Sequence, residues 1–379
     1  MAFYIWIYIA LIVFWIIIQL SFNVQEKRTN RIIYFQNSLL FLYVIGVGLT
    51  IIMGIRSIDV GYDTQMYGRI FSILGQADLF ENVSNSVSGY WCYRLICKIV
   101  YFFGGNYQIF LFITSAITVG GVIRFIKYTS ENYFISVVLY YLSFLYLQAF
   151  NGARQCLAIS VCLNAYVELE RKRYFKSIIL SVIACLIHNT AIIMFIIYAI
   201  KFINWNHKKL IIYVAGILIV CMYIDPIINL FTYIFPRYAI IYADYLNGNV
   251  ATMFGGIARG RKALVSVFYI FIILITIYFT DRGKMEDGFA NNWTLISLSV
   301  IEGIIGIIFR HNTMMLRMQL YFSVFMISCI PNCVERMWLN KRIKCICNII
   351  ICVVMIIPFC VQLKENYGRI IPYLVFMHN

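Results

Sequence analysis

From Phe3 to Phe22 the chain runs without a single charged side chain, and apolar stretches of similar length recur to its end. Each is long enough, at about 17–25 residues, to cross a hydrocarbon core of roughly 30 Å as a helix. Only 12% of the 379 residues are charged and mean hydropathy is +0.83, where a soluble domain carries about 25% charge. These values exclude a soluble enzyme, a disordered chain and a secreted disulfide scaffold. A transmembrane barrel would show short alternating segments instead. The reading is an all-α polytopic bundle, one integral membrane domain over residues 1–379. The 29 tyrosines suit helix ends at the water interface.

The 12 cysteines form no CxxC pair, and most, such as Cys156, Cys162 and Cys329, lie inside apolar runs. With four scattered histidines (His188, His207, His311 and His378) there is no metal-ligand spacing, so no metal and no cofactor is expected. The cysteines read as small packing residues. The first segment lacks the basic start and small-residue cleavage site of a removable signal.

Basic loops orient the spans. Lys27, Arg28 and Arg31 make the first loop cytoplasmic, so both spans around it, Phe3–Phe22 and Ile32–Ile55, open outward. A long outer segment, residues 56–105, follows; within it Tyr90–Phe103 reads as an interfacial amphipathic helix. Asn106–Ile126, Phe134–Phe150 and Gln155–Leu169 are further spans. Working back from the cytoplasmic cluster Arg336, Lys341, Arg342 and Lys344 yields spans Leu210–Ile224, Ala263–Thr280, Trp293–Phe309, Met318–Val334 and Cys345–Val361, a second long outer segment over residues 225–262, and both termini outside. The two walks collide at Phe175–Ile200, whose ends both fall inside. A broken or re-entrant helix pair with its tip at Leu186–Thr190 resolves this, since the tip carries the polar run His188-Asn189-Thr190; the alternative is one ordinary crossing, with Ile227–Tyr242 restoring parity. About ten crossings plus this element result.

Sorting the 31 basic residues by this topology leaves thirteen outside: ten Arg (56, 69, 94, 154, 237, 259, 261, 310, 317 and 369) and three Lys (98, 262 and 364). Orientation does not demand outer cations, nor Arg over Lys. Guanidinium binds phosphate bidentately and stays charged when partly desolvated. Arg56, Arg154, Arg310 and Arg317 sit where spans meet the outer surface, which points to a cationic cavity for a lipid phosphate or pyrophosphate. Arginines snorkelling to lipid headgroups are the competing account.

Four constellations stand out. Asp63 precedes a helical pattern that would bring it onto one face with Tyr67; it is either an N-cap or a general base beside a sugar. Arg154 and Gln155 follow the turn Asn151-Gly152 at a helix start, where free N–H groups attract anions. His188 is an intramembrane titratable group, a functional candidate by default. Glu302 lies mid-span and reads as paired with an Arg across helices, ahead of a role as proton acceptor. P-loop, GxGxxG, HExxH, GxSxG and DxD patterns are absent, which argues against nucleotide-driven chemistry.

Several of these residues carry a resemblance. Arg56 with Gly61-Tyr62-Asp63-Thr64 and Tyr67, the Gly105-Asn106 turn, Arg154-Gln155 with Ala158, Lys172-Arg173-Tyr174-Phe175, Ala184 with His188 to Ala191, and Arg310, Arg317 and Tyr321 together resemble the EpsG family of Wzy-like bacterial polysaccharide polymerases. An acidic residue expected before the amphipathic stretch is missing; Ser86-Val87-Ser88-Gly89 stand there. The resemblance implies a glycosyltransferase of the bacterial cytoplasmic membrane that joins undecaprenyl-pyrophosphate-linked oligosaccharide repeat units at the outer face, in exopolysaccharide, capsule or O-antigen synthesis, without metal or nucleotide. In it, Arg154, Arg56, Arg310 and Arg317 hold the leaving pyrophosphate, His188 or Asp63 takes the acceptor proton, and Thr64, Tyr67, Gln155 and Tyr321 line the substrate. Expected partners are the lipid-linked sugar, membrane lipid, a chain-length regulator and a flippase of the pathway, and no nucleic acid. A lipid-linked oligosaccharide flippase would show two comparable halves, which the sequence lacks. A multispan acyltransferase would take its donor from the cytoplasm, whereas the best Arg and Asp here lie outside. A purely structural membrane subunit would need neither the Arg bias nor the buried His.

Overall fold

The computed structural model describes residues 1–23, 30–78, 90–203, 205, 207–223, 226, 230, 233, 256–279, 292–309 and 313–376. Among them every extended element is a helix, with one isolated bridge between Arg56 and Val375. The all-α reading holds. Four described helices contain stretches long and apolar enough to span a bilayer: Ala2–Leu20, Asn37–Gly54, Tyr107–Thr129 and Lys341–Lys364. The other apolar helices are shorter, including Tyr133–Leu142, Tyr174–Ile187 and Trp293–Ile308, so the count of about ten full crossings is not reached among the described residues. The outer segment 225–262 falls almost wholly outside them.

The described chain divides into two compact units, Met1–Phe195 with Asn348–Asn379, and Ile196–Cys347. The first begins with α1 (Ala2–Asn23) and α2 (Asn30–Gly54), followed by two short helices, α3 (Thr64–Gln76) and α4 (Trp91–Phe102). α5 (Tyr107–Thr129) starts at an Asn106 N-cap whose side chain accepts from Ile109 N. The span expected over Phe134–Phe150 is two pieces, α6 (Tyr133–Leu142) and α7 (Leu145–Gln148), separated where Phe144 adopts φ 66°. A left-handed residue cannot continue an α-helix, so the single span is corrected to a helix and a turn. α8 (Ala153–Glu170) and α9 (Tyr174–Ile187) pack as an antiparallel pair.

α5 and α8 approach closely because Gly121 has no side chain: a Cβ there would sit 2.9 Å from Ser160 O. Ser160 uses the proximity to donate from its hydroxyl to Ile117 O at 2.8 Å. Near the far end of this helix pair, Arg124 pairs with Glu168 and donates to Asn164 Oδ1 at 2.7 Å, and Arg173 reaches the same carboxylate at 3.5 Å.

The end of the unit that holds the C-terminus of α2 is tied together by backbone. Helix C-termini leave four carbonyls without intrahelical partners, and here each of the four is met. Ile51 O accepts from Ile55 N at 2.9 Å, Ile52 O from the Tyr373 hydroxyl at 2.6 Å, Met53 O from Arg56 Nη1 at 2.6 Å, and Gly54 O from Gln108. The C-terminal segment pairs with the same turn through Ser57 N to Leu374 O and Phe376 N to Ile55 O. Phe3 stacks on Tyr373 at 4.2 Å, and Tyr4 donates to Ile370 O. The beginning of α1, the end of α2 and the C-terminal segment therefore share one end of this unit, in line with the sequence topology that put both termini and Arg56 on one side.

The second unit contains α10 (Ile196–Lys201), α11 (His207–Met222), α12 (Gly256–Phe279), α13 (Asn292–Ile308), α14 (Thr313–Ser323) and α15 (Met326–Arg336). The expected span Met318–Val334 is thus interrupted at 324–325 and begins earlier. α16 (Lys341–Lys364) closes the chain, most of it belonging to the first unit. Inside the second unit Glu302 is 3% exposed, and its Oε1 accepts from Ser266 Oγ at 3.1 Å and from Gln319 Nε2 at 2.9 Å. Glu302 is bonded across helices, but by these neutral donors from α12 and α14 where an Arg was expected.

Candidate functional site

The first turns of α3, α4 and α8 meet in the first unit. Their meeting point is Arg154, in the first turn of α8. Its guanidinium carbon lies 4.5 Å from the Tyr90 ring centroid and 5.6 Å from those of Tyr67 and Tyr93. A cation over aromatic faces is held by their quadrupoles, so charge is retained without a carboxylate. Arg154 Nε and Nη1 are nevertheless buried and make no hydrogen bond among the described residues. Leaving a buried donor unmet costs about 1–3 kcal/mol, more for a charged group; such donors are available to an anion. The helix starts around them add positive potential.

Tyr67 is 7% exposed and Tyr93 2% exposed. Burial pushes both hydroxyls above the ordinary tyrosine range, with the Arg154 charge acting in the opposite direction. They remain neutral hydrogen-bonding groups at any physiological pH.

His188 completes the cluster. α9 stops at Ile187, His188 takes an extended conformation (φ −152°, ψ 117°), and a 3₁₀ segment, Asn189–Phe195, follows. The break expected at Leu186–Thr190 is present. The His188 ring lies 5.8 Å from that of Tyr90, and its Nδ1 shares a 2.7 Å hydrogen bond with Thr190 Oγ1. Local sequence explains the break: the polar run 188–190 offers side-chain partners in place of helix bonds.

Asp63 occupies the N-cap position of α3 without a side-chain capping bond, and its carbonyl accepts from Tyr67 N at 3.0 Å. The expected i, i+4 relation holds, and the Asp63 charge adds to the upward push on Tyr67. Thr64 is fully buried; its hydroxyl lies 2.7 Å from Val60 O and 3.2 Å from Phe150 O. It pins the α3 start to the turn before α8. Gly61, at φ 101°, makes that junction feasible, since a Cβ there would meet Phe150 O at 2.6 Å. Asn151 Oδ1 accepts from Tyr62 N at 2.5 Å, while Tyr62 N also lies 3.1 Å from Gly368 O. Gln155 is buried on α8.

Of the four arginines expected around one hollow, Arg56 and Arg154 lie in the first unit and have different surroundings. Arg56 is 1% exposed, bonded to Met53 O and seated 4.5 Å over the Phe150 ring. Burial lowers its pKa, opposed by the surrounding Tyr107, Tyr146, Tyr373 and Tyr4 hydroxyls. The structure uses it to close the C-terminus of α2, where a cation also complements the helix dipole. Arg310 lies outside the described residues. Arg317 is exposed and Tyr321 fully buried, both on α14 in the second unit.

Tyr90, Tyr93 and Asn151 are site residues that sequence reasoning missed. A signal was present for the tyrosines: Tyr93 lies on the buried face of the amphipathic α4 with Cys97 and Val100, and Tyr90 is the residue that caps its start. Arg94, expected at an interface, is instead 5% exposed on that face and donates to Asp78 O. Ser86–Gly89, where an acidic residue was expected, lie outside the described residues. Among the described residues no group of three or more His, Cys, Asp or Glu assembles in metal-binding proximity.

Apolar spanning helices and a broken helix beside an aromatic-caged arginine define a multi-pass membrane protein. The model of the EpsG family matches residues 39–375, and the chain belongs to that family. It is a membrane protein of polysaccharide biosynthesis. No curated protein and no solved structure matches it.

Proposed function

We propose that this protein is a polysaccharide polymerase that transfers a glycan from a lipid pyrophosphate, undecaprenyl pyrophosphate, onto the next lipid-linked repeat unit at the outer face of the bacterial cytoplasmic membrane. The observation that carries the reading is the Arg154 guanidinium, held by three tyrosine rings with Nε and Nη1 buried and unbonded, beside the His188 break. In the reaction an acceptor hydroxyl attacks the anomeric carbon of the donor. The bond from that carbon to the pyrophosphate oxygen breaks, and its electrons leave with the pyrophosphate. Arg154 stabilises this developing charge, as preorganised donors do for oxyanions. His188 takes the hydroxyl proton; in the tautomer whose Nδ1–H donates to Thr190 Oγ1, Nε2 is the basic nitrogen. The half-buried Tyr90 ring offers a face to a sugar, and Asp63 stands beside Tyr67 as a hydroxyl-binding carboxylate.

Reconstitution with a defined lipid-linked repeat unit, followed by product sizing, tests this. The unaltered chain produces a ladder. Arg154→Ala and His188→Ala give only single units while the protein stays folded. A ladder of unchanged length from either variant overturns that residue's role, and no ladder from the unaltered chain overturns the polymerase reading.

A further inference from the structure

A second site lies along α5, its charged end at the C-terminus of that helix. α2 and α5 leave between them a groove of about 550 Å³, within the roughly 300–1,000 Å³ of ligand pockets. Its walls are apolar, with Val47 and Ile51 from α2 and Phe112 and Ile123 from α5. Glycine leaves it open: a Cβ on Gly120 would meet nothing within 4 Å. The lining runs along α5 from Phe112 to Tyr128, about 24 Å at 1.5 Å per residue, longer than one bilayer leaflet of about 15 Å.

One end of this groove is apolar and the other cationic. Lys127 Nζ donates to the Tyr43 hydroxyl at 2.6 Å and lies 5.3 Å from that ring. Among the described residues no carboxylate is within ion-pair distance of it. Arg124, Lys127 and Arg171 all lie within 5.6 Å of the Tyr128 ring centroid. Arg124 and Arg173 share the carboxylate of Glu168, so positive charge is in excess.

We infer that this groove binds an anionic phospholipid, with one acyl chain along Gly120 and the headgroup phosphate at Lys127 and Arg124. Charge complementarity selects the headgroup, and a length exceeding one leaflet selects a chain over a small anion. The site is separate from the Arg154 cage, since α5 begins at the opposite end, where the Tyr107 hydroxyl donates to Thr64 O at 3.1 Å. It stands whether or not the polymerase reading does.

The full chain, purified in detergent, is titrated with dioleoyl phosphatidylglycerol or with dioleoyl phosphatidylcholine, and bound lipid is counted by native mass spectrometry. Phosphatidylglycerol is expected to bind saturably and about fivefold tighter or more, from the attraction of basic side chains to anionic headgroups. Gly120→Leu fills the groove and weakens phosphatidylglycerol binding about tenfold, with helix content unchanged. Lys127→Gln removes the headgroup preference, whereas Lys127→Arg keeps it. Equal binding of the two lipids by the unaltered chain overturns the inference, as does a folded Gly120→Leu chain that binds phosphatidylglycerol normally. Should Gly120→Leu fail to fold, the Lys127 pair decides: a preference that survives Lys127→Gln sinks the site.

Discussion

The Arg154 guanidinium carbon sits 4.5 Å from the centroid of the Tyr90 ring, and that ring in turn lies 5.8 Å from His188. Tyr90 thus bridges the guanidinium and the imidazole to which the proposed reaction assigns the leaving diphosphate and the acceptor proton. The two come from the first turn of α8 and the break that follows α9, joined at the site through the start of α4.

Replacing Arg154 by Lys keeps the charge but loses the flat, multi-donor guanidinium. Polymer formation in the reconstituted system is expected to fall about 10²–10³-fold, the cost of losing one well-placed donor to a developing anion. Product sizing against time measures it.

Tyr90→Phe keeps the ring and is expected to polymerise within about twofold of the unaltered chain. Tyr90→Ala removes a cation–π contact of about 0.5–2 kcal/mol, which corresponds to roughly two- to thirty-fold in rate. A Tyr90→Ala chain as active as Tyr90→Phe would show that the ring holds nothing.

Gly120 and Gly121 are neighbours with opposite surroundings. A Cβ at 121 collides with Ser160, while one at 120 meets open space. Gly121→Ala is expected to destabilise by about 1–3 kcal/mol through overpacking, and Gly120→Ala by almost nothing. The midpoint of thermal inactivation in detergent separates the two.

Cys97 is fully buried on α4, and burial pushes its thiol up to about 12. At pH 8 its thiolate fraction is then about one in ten thousand, so maleimide is expected to leave Cys97 unlabelled while exposed Cys345 reacts. A thiol raised on folding stabilises below its unfolded value of about 8.5. That contribution is lost as pH rises toward the folded value. Mass mapping of labelled peptides from pH 7 to pH 10 checks this.

Glu302→Gln keeps an oxygen to accept from Ser266 and Gln319 and is expected to leave stability nearly unchanged. Glu302→Leu strands both donors in the core, at about 1–3 kcal/mol. Thermal melts of the two variants give the difference directly.

Much of the first unit was legible from periodicity and charge. α1, α2, α5 and α8 lie within about three residues of the spans read from apolar runs, because a bilayer-length apolar run has few alternatives to a helix. The break at His188 was legible too: a polar run inside an apolar segment with basic residues at both ends favours a broken helix over one straight crossing. The split at Phe144 was not, since nothing in YYLSFLYLQ marks one residue for the left-handed region.

Arg154 and His188 stood out by residue type alone, and residue type also made Arg56 their companion. Sequence determined the helical membrane architecture, the basic ends of the helices and the candidacy of each guanidinium, since hydropathy and charge act locally along the chain. Only the tertiary structure decided that Arg56 closes the C-terminus of α2 while Arg154 keeps two buried nitrogens unbonded among three tyrosine rings. A guanidinium's role depends on which carbonyls and rings lie within a few ångströms, and those neighbours come from residues far apart in the chain.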